Sequence, residues 1–145
     1  MTVLRMDNVA VVVRDLDAAL AFFAALGMEL EDRASIEGPW ADETVGLDGV
    51  RSEIAMVRTP DGNGRIELTE YHRPAVGGEV GAAPPNTAGL HRIMFAVDDI
   101  DATIARLRPL GAELLGTVAD YKGVFRLCYL RGPEGIIVAL AEQTG

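Results

Sequence analysis

The 145-residue chain is poor in several features that usually mark function. It has one cysteine, Cys128, which excludes an internal disulfide and a zinc site built from several thiolates. Basic residues are scarce: 13 Lys plus Arg stand against 22 Asp plus Glu, a formal charge of −9. A field of that sign repels phosphate backbones, so no nucleic-acid partner is expected. A pocket can still hold a local arginine for an anionic small molecule. No apolar run is long enough to cross a bilayer, and Met1 to Asp7 lack the apolar stretch of a secretory signal. The expectation is a cytoplasmic protein without a membrane partner.

What remains is an ordinary globular composition, 49% apolar and 24% charged, able to supply a core. The length fits one compact domain or two small, intimately packed modules. Cys128 sits in Arg126-Leu127-Cys128-Tyr129-Leu130, which reads as a strand. With no histidine near it in sequence, an inert buried thiol is expected rather than a nucleophile.

Self-similarity is the informative feature. Val11-Val12-Val13-Arg14-Asp15-Leu16-Asp17-Ala18 matches Phe95-Ala96-Val97-Asp98-Asp99-Ile100-Asp101-Ala102. At the same offset, Ala25 to Leu30 aligns with Pro109 to Leu114. Farther on, Thr59-Pro60-Asp61-Gly62 aligns with Gly132-Pro133-Glu134-Gly135, and Glu67 to Glu70 with Ala139 to Glu142.

Each block has a local meaning. Val9–Val13 and Ile93–Val97 are rich in β-branched or large apolar residues, as buried strands are. Asp15 and Asp99 stand where a helix needs an N-cap, and a second aspartate two residues on favours the helix dipole. Leu16, Leu20 and Phe23 recur at helical spacing, as do Ile100, Ile104 and Leu107. Gly27 and Gly111 follow as left-handed C-caps. The Pro-Asp-Gly and Pro-Glu-Gly triplets are turn chemistry, which predicts hairpins joining Ile54–Arg58 to Arg65–Tyr71 and Phe125–Arg131 to Ile136–Glu142.

Each copy therefore reads strand, helix, strand, strand, strand: an α+β chain with a first module over 1–71, a Pro-containing linker over 72–88 and a second module over 89–145. Ala34 to Val50, holding Gly38-Pro39-Trp40, reads as a long loop. Glu70 and Glu142 stand one residue out of phase with Glu67 and Ala139 and are expected to face the other side.

This order, with Val-Asp-Asp-Ile-Asp opening a helix and Gly-Pro-Glu-Gly before the last strand, resembles the vicinal oxygen chelate superfamily. That group includes glyoxalase I, extradiol dioxygenases, methylmalonyl-CoA epimerase, and bleomycin- and fosfomycin-resistance proteins. The resemblance covers essentially the whole chain. It implies two sheets that each curl around half of a shared cavity, within a chain or across a homodimer. It fixes no single activity, because the fold hosts many.

Catalytic members hold a divalent metal with one side chain from the first strand and one from the last strand of each module. Carried onto this sequence, those positions are Asn8, Glu67, Arg92 and Ala139. Glu67 alone is a usual ligand type. Asn offers a weak carbonyl oxygen, Ala offers nothing, and Arg carries a permanent charge. A guanidinium there would repel a divalent cation, so no metal cofactor is expected. An Arg92–Glu67 pair with Asn8 beside it takes its place, either lining a ligand cavity or simply satisfying itself in the core.

His91 could face the cavity only if the strand slipped by one residue, which would turn Ile93, Phe95 and Val97 inward. A strand-end or interface histidine is the better reading, and His72 reads as a solvated linker residue. Trp40 could close a pocket mouth or pack under its loop. Met56 and Tyr129 correspond in the two copies and could line opposite walls, whereas Arg58 and Arg131 look like rim or surface charges.

Three functions follow from the resemblance and these substitutions. The first is a metal-free protein that sequesters a small organic ligand, an anionic one included, in natural product metabolism or antibiotic resistance. The second is a metal-independent isomerase or lyase acting on a carbonyl compound, with Glu67 as general base and Arg92 and Asn8 stabilising an oxyanion. The third is a metal-dependent lyase or dioxygenase that recruits unusual ligands such as His91 or Asn8.

Overall fold

The computed structural model describes residues 2–78, 81 and 83–145. The chain divides into two compact units, 1–78 and 79–145. Each is a β-α-β-β-β arrangement, so the α+β duplication read from the repeats is the architecture observed.

In the first unit, β1 (Val9–Val12) leads into α1 (Leu16–Leu26) and then β2 (Glu29–Glu37). After α2 (Pro39–Val45), the hairpin of β3 (Arg51–Arg58) and β4 (Arg65–Arg73) completes a four-stranded sheet ordered β1-β4-β3-β2. β1 runs parallel to β4, and the other pairs are antiparallel. The Asp15 carboxylate accepts from Ala18 N, and Gly27 closes α1 at φ 117°, a left-handed cap that an L side chain would resist. Leu16, Ala19, Phe22, Phe23 and Leu26 form the buried stripe of α1. Phe22 and Phe23 meet edge to face at 5.3 Å. The opposing layer is Val11 from β1, Ala55 and Val57 from β3, and Ile66 and Leu68 from β4, all buried.

The expected loop over 34–50 is not a loop. β2 continues to Glu37, and Pro39, whose missing N–H costs nothing at a helix start, begins α2. Gly46 ends that helix in the left-handed region. The Asp42 carboxylate accepts from both Gly49 N and Val50 N, tying the helix to the start of β3. β4 also runs past Tyr71, so His72 and Arg73 are strand residues.

In the second unit, β5 (Arg92–Val97) leads into α3 (Ile100–Leu107), which a single 3-10 turn carries to Leu110. The strands β6 (Glu113–Leu114), β7 (Ala119–Tyr121), β8 (Phe125–Arg131) and β9 (Ile137–Gln143) follow. The sheet is ordered β5-β9-β8-β6, with β7 also on β8. Where one second strand was expected, two short ones share β8. Asp99 accepts from Ala102 N, and Ile100, Thr103, Ile104 and Leu107 are buried against the sheet residues Val138, Leu140 and Leu130.

The duplication extends to register. Val9 faces Ile66 as Ile93 faces Val138, and Met56 faces Glu67 as Tyr129 faces Ala139. Glu70 and Glu142 also match: each turns toward its helix and accepts from the first helical amide, Leu16 N at 3.1 Å and Ile100 N at 2.7 Å. These carboxylates identify the helix-bearing face of each sheet. By strand alternation, Glu67 and Ala139 lie on the opposite face.

Candidate functional site

The helix-free faces carry most of the residues singled out from sequence. In the first unit, alternation places Ala10 and Val12 of β1, Ile54 and Met56 of β3, and Glu67 and Thr69 of β4 on that face. A recess of about 550 Å³ lies there, and Asn8, Asp7, Glu31, Ile54, Met56 and Arg65 are on its wall. Asn8 and Met56 thus meet at one recess. Glu67 is half-buried, with Ala10 and Met56 as its register partners, and is not on the recess wall.

Charge on this recess is largely balanced within the unit. Arg65 Nε donates to Glu31 Oε2 at 2.8 Å, and that hydrogen bond holds its guanidinium pKa above the ordinary arginine value. Arg5 pairs with Asp7 at 2.8 Å. Arg58, read as a rim charge, reaches Glu29 at 3.3 Å while its Nε is buried.

In the second unit, Arg92, Met94 and Ala96 are exposed, while Ile93, Phe95 and Val97 are half-buried. Val97 pairs with Glu142, which caps α3, so Ile93, Phe95 and Val97 face the helix as expected. Arg92 therefore belongs to the helix-free face. Its guanidinium lies over the Tyr129 ring, 5.2 Å from the centroid, within reach of the ring's negative face. Two residues picked independently from sequence are in contact. Tyr129 also forms part of a recess of about 370 Å³ with Pro85, Leu115, Thr117, Leu127 and Cys128.

Trp40 is on the first turn of α2 with 57% of its surface exposed, so it does not pack underneath that segment. Its ring covers Gly38 instead. His72 approaches Glu70 at 3.5 Å on β4. His91 is half-buried just before β5, and its Nδ1 is buried without a hydrogen-bond partner among the described residues. Cys128 is buried, and that burial pushes its thiol pKa up, as an inert cysteine requires.

Arg131 is not a surface charge. It donates to the Gly135 carbonyl at 2.9 Å and the Ala83 carbonyl at 2.7 Å, tying the linker to the β8–β9 turn. A Cβ on Gly135 would collide with the Gly81 carbonyl, so a residue larger than glycine does not fit there. Sequence reading missed this clamp because its partners are backbone carbonyls, which leave no trace in residue type.

Glu67 and Ala139 occupy the same place in their two sheets, each opposite the corresponding residue of the central hairpin. Ala139 has no donor, and Arg92 presents a permanent cation rather than a lone pair. Among the described residues, no group of three or more His, Cys, Asp or Glu side chains is placed to hold a metal. Of the four positions, Glu67 alone offers a side chain of the usual ligand type for a divalent ion.

Two βαβββ units, each with a cap at both ends of its first helix and an open helix-free face, define the vicinal oxygen chelate class of folds. Residues 5–140 match the Glyoxalase/Bleomycin resistance protein/Dioxygenase superfamily, and the chain belongs to that family. A glyoxalase family protein from Bacillus cereus is similar in structure at a TM-score of 0.95 and 48% identity, covering 100% of this chain and 97% of that one. An antibiotic binding protein from Streptomyces sp. CB03234 shares the fold at 19% identity and a TM-score of 0.60, covering 99% and 98% of the two chains. The Mycobacterium tuberculosis protein CFP32, whose name assigns it provisionally to the glyoxylases, is 26% identical over 78% of this chain. This chain spans 41% of that curated relative's length. No helix among the described residues is long and apolar enough to cross a membrane.

Proposed function

We propose that the chain binds a small organic molecule on its helix-free sheet faces and sequesters it unchanged, without a metal, in natural product metabolism or antibiotic resistance. The observation that carries this reading is Arg92. At a position where relatives would place a metal ligand, this chain has an exposed guanidinium stacked on Tyr129. A cation on an aromatic platform recognises flat or anionic organic groups. Native mass spectrometry of protein purified from cells, followed by release and mass analysis of anything bound, tests it. Stoichiometric recovery of an unaltered organic molecule supports sequestration, and conversion of that molecule during incubation contradicts it.

A second reading, metal-independent isomerisation or lyase chemistry, draws on Glu67. This half-buried carboxylate lies on the same sheet face as the first unit's recess and forms no ion pair within that unit among the described residues. It could accept a proton while Asn8 and Arg92 stabilise an oxyanion. Glu67→Gln would then abolish turnover and spare binding. A metal-dependent lyase or dioxygenase ranks last, because the donor set lacks ligands. Homodimerisation is part of the proposal and is read directly from sedimentation equilibrium.

A further inference from the structure

The recess of the second unit joins three features that no single strand explains. Tyr129 takes part in both a cation contact and a largely apolar hollow: Arg92 is over its ring, and Leu115 and Leu127 are on the hollow's wall with it, while Arg92 itself is not on that wall. Pro85, from the linker, supplies another part of that wall. The linker is fastened at this point: Arg131 holds the Ala83 carbonyl, two residues before Pro85, and the Gly135 carbonyl on the far side of the turn. Gly81 presses against Gly135 so closely that no side chain fits between them. The linker is thus a strap pinned across the edge of the recess by one guanidinium and one obligatory glycine.

We propose that this recess is a subsite for a flat aromatic anion. Its ring lies in the apolar hollow against Tyr129, and its charged group projects beyond the hollow toward Arg92. Arg131 is a positioning residue that keeps the Pro85 wall in place. This rests on the small-molecule-binding reading above and assigns the ligand class. The size suits the proposal, because about 370 Å³ falls at the small end of ligand pockets, which run from about 300 to 1,000 Å³. The chemistry suits it too: a largely apolar lining holds the ring, and the arginine stacked on Tyr129 selects charge.

Two fluorescent probes of nearly equal shape separate the contributions. One is 1-anilinonaphthalene-8-sulfonate, an aromatic anion, and the other is neutral N-phenyl-1-naphthylamine. Both are titrated into the full chain under native conditions, with near-UV circular dichroism confirming the fold. The expected result is saturable 1:1 binding of the anion. Arg92→Met should weaken the anion about tenfold, the scale of one charge-assisted contact, and leave the neutral probe unchanged. Arg131→Ala should weaken both probes, because the wall and not the charge is lost. Pro85→Gly, which leaves the clamp intact, should reproduce that pattern.

If neither probe binds, the subsite falls, while the broader binding reading still stands or falls by the native mass spectrometry of protein purified from cells. If both bind but Arg92→Met moves neither, or moves both equally, the anion assignment alone is overturned. If Arg131→Ala and Pro85→Gly leave both affinities unchanged in folded protein, the strap is not a wall of the site and that part of the proposal fails.

Discussion

Removing the carboxylate of Glu142 should loosen the start of α3 by a definite amount. The helix N-terminus leaves four amides without intrahelical acceptors. Two are satisfied here by side chains: Ala102 N by Asp99 at 3.0 Å and Ile100 N by Glu142 at 2.7 Å. Glu142 comes from β9, so its bond fastens helix to sheet as well as capping it. Glu142→Ala strands a part-buried amide and removes a charge-assisted bond, which should cost about 1–2 kcal/mol. Glu142→Gln keeps an acceptor and loses only the interaction of the charge with the helix dipole, about 0.3–1 kcal/mol. The equivalent changes at Glu70 should follow the same order, because Glu70 makes the same bond to Leu16 N at 3.1 Å. Urea unfolding measures the totals, and native-state hydrogen exchange at the Ile100 and Leu16 amides localises them. No loss in Glu142→Gln would refute the dipole argument, and equal losses for the Ala and Gln variants would refute the separate contribution of the hydrogen bond. Unchanged exchange at Ile100 in Glu142→Ala would refute the clamp itself.

Other outcomes follow from particular contacts. Leu140, fully buried on β9, should cost about 2–5 kcal/mol as Leu140→Ala, measured by denaturant midpoint. Asp61 has its carboxyl pKa held below the ordinary 3.8, first by the Thr59 hydroxyl at 2.5 Å and then by Asn63 N. A lowered folded-state value stabilises above the unfolded pKa and is lost as pH falls through the folded one. Thr59→Val should therefore raise the Asp61 value toward 3.8, seen by carboxyl NMR titration, and flatten the acid side of the stability profile. Cys128, buried with its thiol pKa raised, should react with a disulfide reagent no faster than the protein opens; rapid native labelling would contradict that reading.

The duplicated fold was legible because its signals are local and chemically obligatory. Asp15 and Asp99 cap, Gly27 and Gly111 take left-handed backbone, and Val9–Val13 and Ile93–Val97 alternate toward helices as the repeat requires. Even the turn of Glu70 and Glu142 away from the face of Glu67 and Ala139 could be read, since register decides it. Helix α2 was missed because only Ala41 of its seven residues is buried, so no apolar periodicity announces it. Gly38 before it, Pro39 at its first position and Gly46 after it were the available signals. The grouping of the candidate residues was legible in part: Arg92 and Tyr129 meet, and Asn8 and Met56 share a recess. The wall residues Leu115, Leu127 and Pro85 were not, because they converge through tertiary contacts across a strap that sequence alone reads as a linker.

The central claim is that arginine and alanine at the family's metal positions have exchanged a metal site for an organic-ligand site. Isothermal titration of chelator-treated protein with nickel, zinc, manganese and iron(II) tests it most directly. The account predicts no stoichiometric binding of any of the four and no change on Glu67→Gln. A 1:1 isotherm for one of these ions that disappears in Glu67→Gln would contradict it.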